Sequence, residues 1–138
     1  MIKCKHFEIH ELVPPKVYND RGEKAWQLID PKLIAIIDAL REEFGAATIN
    51  NYKWNGARMW SGLRTKDSPY YSKYSQHTFG RAADILFKDH TADEVRKAIT
   101  SNPDKWLAIC PSLTIEDGVS WLHIDVRNSH PCITMFDP

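Results

Sequence analysis

The strongest pattern in the chain is an apolar stripe with helical periodicity between Pro31 and Phe44. Aspartate is a preferred helix N-cap and proline suits a first helical turn, so Asp30 and Pro31 predict where this helix begins. Gly45 can adopt the left-handed conformation that often ends a helix. The stripe is formed by Leu33, Ile34, Ile36, Ile37, Leu40 and Phe44. Because the charged residues lie largely off this stripe, we predict a core helix at 31–44.

Two later segments alternate between apolar and polar residues, which is typical of strands that bury one face. In residues 81–87, Asp84 is expected on the face opposite to Ile85. In residues 119–126, His123 lies on the more polar face. That face is formed by Trp121, His123, Asp125 and Arg127. If the two strands pair in an antiparallel sheet, Asp84 and His123 can lie opposite each other.

The remaining pattern predicts shorter elements around these strands. Thr91-Ala92-Asp93-Glu94 has the form of a capping box that opens a second helix. The other expected elements are an extended amino-terminal arm at 1–29, short strands at 46–50, 58–61 and 113–115, and a hairpin turn at 116–118. This order favours one domain over residues 1–138, with an α+β fold in which helices pack on one side of a small, mostly antiparallel sheet.

Composition excludes some classes of partner. Lys plus Arg and Asp plus Glu both number 18, so no net charge attracts nucleic acid. No apolar run resembles a signal peptide or is long enough to span a bilayer, so we expect a protein made in the cytoplasm without a membrane span. The three cysteines, Cys4, Cys110 and Cys132, lack the spacing of a zinc site or a disulfide framework and are expected to be free thiols, at least one of them buried.

His77, Asp84 and His123 form a candidate metal site. Two imidazoles and one carboxylate leave the fourth position of a tetrahedral ion open, which distinguishes catalytic zinc from closed structural sites. The pattern therefore favours zinc-dependent hydrolysis. His6 and His10 are four residues apart and could share a helical face, but Pro14-Pro15 follows closely, and we expect them not to bind metal. Arg64 could pair with a substrate carboxylate, but composition alone favours a surface arginine in a solvated loop.

Three motifs together resemble a known family. Ser75 to Asp84 reads Ser-x-His-x-x-Gly-x-Ala-x-Asp, residues 121–126 read Trp-Leu-His-Ile-Asp-Val, and residues 61–65 read Ser-Gly-Leu-Arg-Thr. Their sequence and order are similar to those of the M15 zinc peptidases, which comprise D-alanyl-D-alanine carboxypeptidases and L-alanyl-D-glutamate endopeptidases. The resemblance implies a fold like that of D-Ala-D-Ala peptidases and hedgehog proteins. It also implies zinc ligation by His77, Asp84 and His123, a substrate contact by Arg64, and a contribution of Ser75 and Gln76 to substrate binding.

The general base is the point at which the sequence departs from that family. Many members have an acidic residue three positions before the last histidine, and here that position is Ser120. The remaining candidates are Asp117 and Glu116, which we place ahead of Asp125. Asp125 shares the strand face of His123 and is expected to accept a hydrogen bond from a ligand imidazole.

Two functions follow from the sequence as hypotheses. The first is a monomeric zinc metallopeptidase, either a carboxypeptidase or an endopeptidase, that cleaves peptidoglycan stem peptides as a phage endolysin does. It would act on the cell wall after release from the cytoplasm or as part of a phage particle. The alternative is a catalytically silent domain that binds zinc and wall peptide in a virion or wall-associated assembly, for which Ser120 is the main support.

Overall fold

A computed structural model describes residues 1–127 and 133–137 of the chain. In these residues the α-helices are α1 (Pro15–Arg21), α2 (Pro31–Phe44), α3 (Ala92–Ser101) and α4 (Pro103–Ile109). The strands of the same residues are β1 (Ala47–Thr48), β2 (Ala82–Phe87), β3 (Thr114–Glu116), β4 (Leu122–Asp125) and β5 (Thr134–Phe136). Short 3-10 helices occupy Ile9–Glu11, Gly22–Leu28, Tyr52–Trp54 and Gln76–Phe79. The fold class is α+β, as the sequence predicted.

The strands form one sheet in the order β1-β2-β4-β3-β5. The first three neighbouring pairs are antiparallel, and only β3 and β5 run parallel. Between β2 and β4 the register places Asp84 directly opposite His123. The predicted antiparallel pairing of these two residues is therefore confirmed.

The two faces of the central strands have different neighbours. Ala83 and Ile85 of β2 and Leu122 and Ile124 of β4 belong to the hydrophobic core, together with the apolar stripe of α2. Because side chains alternate along a strand, the residues between them lie on the other face. Asp84 and His123 are therefore held by the rigid centre of the sheet, on the face that the core does not use.

Helix α2 begins and ends where its capping residues predict. The Asp30 carboxylate accepts a hydrogen bond from the backbone N–H of Lys32 at 2.9 Å, and Pro31 occupies the first turn. Gly45 ends the helix with a φ of 85°, which a residue with a Cβ rarely adopts. The stripe residues Leu33, Ile34, Ile36, Ile37 and Leu40 are all buried.

Several expected elements differ from the structure. The amino-terminal segment is not an extended arm: α1 begins at Pro15, because a proline after an extended residue suits the first helical position. No strand forms at 58–61, whose backbone is irregular, and β1 and β4 are shorter than expected. His6 pairs with Glu42, and His10 packs edge-on against aromatic rings, so neither belongs to the metal-site candidate.

The described residues include two of the three cysteines, both of them free thiols. Cys4 is partly buried and Cys110 is buried, while Cys132 lies outside the described residues. No helix in residues 1–127 or 133–137 has the length and apolar character needed to cross a membrane.

Gly80 is required where the 3-10 helix that carries His77 turns into β2. Its φ is 68°, and an added Cβ would lie 1.9 Å from the carbonyl oxygen of Leu28. We expect Gly80→Ala to lower the free energy of unfolding by about 3 kcal/mol or more, since left-handed strain and a backbone clash add.

Urea unfolding followed by circular dichroism measures this loss. Gly45→Ala is the matched control, because its φ is also positive but nothing lies within 4 Å of the added Cβ. Equal losses for the two variants would show that the contact with Leu28 carries no cost.

Candidate metal centre

Three side chains from separate elements converge on one point. His77 lies on the 3-10 helix Gln76–Phe79, Asp84 on β2 and His123 on β4, and all three are buried. Oδ1 of Asp84 is 2.8 Å from Nδ1 of His123 and 3.4 Å from Nε2 of His77. One ligand atom from each residue lies within 4.8 Å of the others, so the group can hold a metal ion.

The outer nitrogen of His77 is occupied by a backbone acceptor. Nδ1 of His77 is 2.8 Å from the carbonyl oxygen of Gly62. A carbonyl can only accept, so a proton lies on Nδ1, and Nε2 is the ring nitrogen that a metal ion could bind. Nε2 lies on the side of Asp84, 3.4 Å from Oδ1 of that carboxylate.

Gly62 can hold His77 because it has no side chain. A Cβ at this position would lie 2.3 Å from the carbonyl oxygen of Leu12. The neighbouring N–H of Leu63 donates to the same oxygen at 2.8 Å, so the backbone of Leu12 fixes the position of the loop that contains Gly62. The contact chain from Leu12 through Gly62 therefore sets the orientation of the His77 ring.

Asp125 occupies the outer nitrogen of His123 in the same way. Oδ2 of Asp125 is 2.9 Å from Nε2 of His123, and Asp125 is fully buried. Arg127 binds this carboxylate with two groups, Nε to Oδ1 at 2.8 Å and Nη2 to Oδ2. Asp125 therefore accepts the expected hydrogen bond from the His123 imidazole, and Nδ1 of His123 is left facing Asp84.

Arg64 orients the carboxylate of Asp84. Nη2 of Arg64 donates to Oδ2 of Asp84 at 3.1 Å, and its Nε donates to the carbonyl oxygen of Trp60 at 2.7 Å. With Oδ2 occupied, Oδ1 is the oxygen that faces both imidazoles. The arginine thus prepares Asp84 to bind an ion through one oxygen.

The charges of the centre shift the pKa values of Asp84 and His123 in opposite directions. Burial alone would raise the pKa of Asp84, but hydrogen bonds with His123 and His77 outweigh it and hold this pKa well below its usual range. Burial alone would lower the pKa of His123, but hydrogen bonds to Asp125 and Asp84 raise it to about 9. In the metal-free protein the Nδ1 proton of His123 therefore occupies the place of a cation.

A divalent ion must displace that proton, so zinc affinity should rise with pH. We expect the zinc dissociation constant to fall about tenfold per pH unit up to about pH 9, measured with a chromophoric competitor between pH 6 and 9.

The stability of the metal-free protein should instead decrease as the pH rises. Because the pKa of His123 is raised from 6.5 to about 9 on folding, its stabilising charge is fully present below pH 6.5 and is lost as the pH rises toward 9.

The difference in melting temperature between zinc-loaded and chelated protein should therefore widen from pH 6 to pH 9. A difference independent of pH would contradict proton displacement from His123.

The candidate bases lie in different places. Oε2 of Glu116 is 3.8 Å from Nδ1 of His123, and its side chain is 15% exposed. Asp117, the next residue, is 56% exposed and its Oδ1 lies 3.8 Å from Nε of Arg96, away from the centre. Ser120 lines a separate cavity of about 370 Å³ with Arg96. Of the residues proposed as base, Glu116 is therefore the one that lies beside His123 and lines the cavity next to the centre.

The centre opens into a cavity of about 610 Å³, here called the site cavity. Arg64, Ser75 and Glu116 line it, whereas Gln76 does not. The Ser75 hydroxyl also accepts a hydrogen bond from the backbone N–H of His77 at 3.2 Å, so it caps the 3-10 helix. Ser75 therefore lines the cavity in which a substrate would bind, while the contribution of Gln76 to substrate binding stays a prediction.

Arg127 and Phe136 line this cavity, although the sequence alone predicts no role for either residue. Arg127 was placed on the face of His123 by strand alternation, and that parity was the signal that could have linked it to Asp125. Phe136 packs edge-on against His123 with ring centroids 5.6 Å apart. Phe136 reaches the cavity because β5 pairs in parallel with β3. The alternation of apolar and polar residues in these two strands does not predict that pairing.

Comparison with known proteins adds no further identification. Scans of protein-family models, of curated proteins and of solved structures found no match to this chain.

Proposed function

We propose that this protein is a zinc-dependent peptidase that hydrolyses peptide bonds in the stem peptides of bacterial peptidoglycan. The observation that carries the proposal is the convergence of Nε2 of His77, Oδ1 of Asp84 and Nδ1 of His123 beside an open cavity. Two imidazoles and a carboxylate are a ligand set of catalytic zinc. The substrate class rests on the resemblance of the three motifs to the M15 peptidases.

The ligand geometry fits zinc because each donor is held from outside. Gly62 fixes His77, Arg64 fixes Asp84, and Asp125 fixes His123. A zinc ion held there acts as a Lewis acid and lowers the pKa of water toward neutrality. Such outer hydrogen bonds typically change metal affinity or activity by about 10- to 100-fold when removed.

Glu116 would act as general base in this proposal. Its carboxylate lies beside His123 on the cavity side, where it can take a proton from the attacking water and return it to the leaving amine. Asp125 is unsuited to this work, because it is fully buried and already binds both His123 and Arg127.

Arg64 would hold the carbonyl oxygen or carboxylate of the substrate. Among the described residues its Nε and Nη2 have acceptors, and Nη1 is left for a ligand. A guanidinium beside the reacting carbonyl stabilises the negative charge that develops on its oxygen.

Release of new amino groups from purified peptidoglycan tests the proposal. Zinc-loaded protein should release them, a chelator should stop the release, and added zinc should restore it. If zinc-loaded wild type releases none and behaves as His77→Ala does, the enzymatic function is wrong.

A second candidate is a catalytically silent domain that binds zinc and wall peptide, by analogy in a phage particle. It is favoured by Ser120, which replaces the usual acid and lines a different cavity from the metal centre. Both candidates predict one zinc per chain, but only the peptidase predicts turnover.

A further inference from the structure

Arg127 presents a partly exposed guanidinium to the site cavity. The side chain is 37% exposed and lines the cavity wall. Its Nε and Nη2 bind Asp125, while Nη1 has no acceptor among the residues that the structure describes. One edge of the guanidinium is therefore fixed and the other is available to a ligand.

The position of this group is fixed before any ligand binds. The two-point contact with the buried Asp125 holds one edge, and the aromatic ring of Phe136 lies 4.7 Å from the guanidinium carbon. A guanidinium that is already held by Asp125 and Phe136 loses little conformational freedom when its other edge binds a carboxylate. Arg127 is thus preorganised for a planar anion.

The charge balance of the cavity favours an anionic ligand. Three guanidinium groups line it, those of Arg58, Arg64 and Arg127, and they face the carboxylates of Asp84 and Glu116, with Asp125 behind the wall. These six charges cancel, so the region has no net negative charge that would repel a carboxylate even without a bound cation. A bound divalent cation would add positive charge, which a carboxylate near the scissile bond would offset.

The separation between Arg127 and the metal centre limits where that carboxylate can be. Asp125 and the His123 ring lie between them, which places Nη2 of Arg127 no more than about 10 Å from an ion at the centre. An extended peptide covers about 3.5 Å per residue. The distance therefore corresponds to no more than about three substrate residues.

We propose that Arg127 is a specificity-determining residue that binds a carboxylate of the substrate within about three residues of the scissile bond. The inference rests on the proposed function for the position of the scissile bond. Stem peptides suit it, because they carry a free carboxylate both at the D-glutamate and at the carboxyl terminus.

The test measures coupling between Arg127 and each carboxylate of one probe, the peptide L-Ala-γ-D-Glu-L-Lys-D-Ala-D-Ala. Two further probes carry an amide at the D-glutamate or at the carboxyl terminus. Calorimetric dissociation constants are measured on the full chain in chelator, where the probe is not turned over. Wild type and Arg127→Met are compared, with the exposed Arg21→Met as the control outside the cavity.

We expect one of the two amides to bind wild type and Arg21→Met about tenfold or more weakly than the parent peptide. In Arg127→Met the same amide should bind within about twofold of the parent, because the partner of the carboxylate is gone. Equal penalties in wild type and Arg127→Met for both amides would overturn the proposal. If Arg127→Met does not fold, Arg127→Gln replaces it with the same two outcomes.

The outcomes distinguish failure of the role proposed for Arg127 from failure of the proposed peptidase function. Coupling without any turnover of peptidoglycan would leave Arg127 as a ligand contact in a silent binding domain and overturn only the peptidase. Turnover by zinc-loaded protein without coupling would overturn only the role of Arg127.

Discussion

Glu116→Gln should abolish most peptidase activity while the protein still binds one zinc ion. The amide has nearly the shape of the carboxylate but cannot accept a proton from water, so we expect kcat/KM to fall by about 10²- to 10⁴-fold. Zinc should remain, because the three ligand residues and their outer hydrogen bonds do not involve Glu116. Kinetics on the parent stem peptide and elemental analysis of the same sample measure both quantities.

The adjacent residue supplies the control. Asp117→Asn makes the same chemical change one position away, on a side chain that is exposed and lies near Arg96. It should keep kcat/KM within about threefold of wild type. A large loss in Asp117→Asn with little change in Glu116→Gln would reverse the assignment, and it would require the turn to close over the metal centre.

His77→Ala should remove both zinc and activity. The ring supplies one of three protein ligands, and two remaining ligands do not hold zinc as a structural or catalytic site requires. We expect zinc content to fall from one per chain to near zero after dialysis, with no turnover above background. Elemental analysis and the peptidoglycan assay measure the two effects.

His6→Ala is the matched control for this loss, since His6 pairs with Glu42 far from the centre. It should keep one zinc per chain. Retention of a full equivalent of zinc by His77→Ala would mean that the ion binds elsewhere, and the centre described above would be wrong.

The proximity of Asp84 and His123 was largely predictable because it depends on strand parity. Alternation in residues 81–87 and 119–126 placed Asp84 and His123 on the faces away from the core, and antiparallel pairing brought them opposite each other. The capped helix α2 was equally predictable, because Asp30, Pro31 and Gly45 each act locally. Both successes rest on periodicities of neighbouring residues.

Which of Glu116 and Asp117 lies beside His123 was not predictable, because it depends on where a short strand ends. Strand β3 continues through Glu116, which keeps this residue on the sheet beside His123. Asp117 has left the strand and turns toward Arg96. A shift of one residue in that boundary would exchange the two carboxylates, and local sequence does not fix boundaries so closely.

The amino-terminal segment was mispredicted for a different physical reason. Pro14-Pro15 excludes the interior of a helix, but it also permits a helix to start, and α1 begins at Pro15. Val17 and Tyr18 of α1 are partly buried against the core, and the carbonyl of Leu12 just before the helix accepts from Leu63, in the loop that holds His77. Such support between distant residues leaves no local pattern.

Anomalous diffraction at the zinc edge, on crystals of the zinc-loaded protein, tests the central claim most directly. The account predicts one peak about 2.0 to 2.2 Å from Nε2 of His77, Oδ1 of Asp84 and Nδ1 of His123, with the Glu116 carboxylate facing its open side. No peak at this position, or a peak bound by other residues, would contradict it.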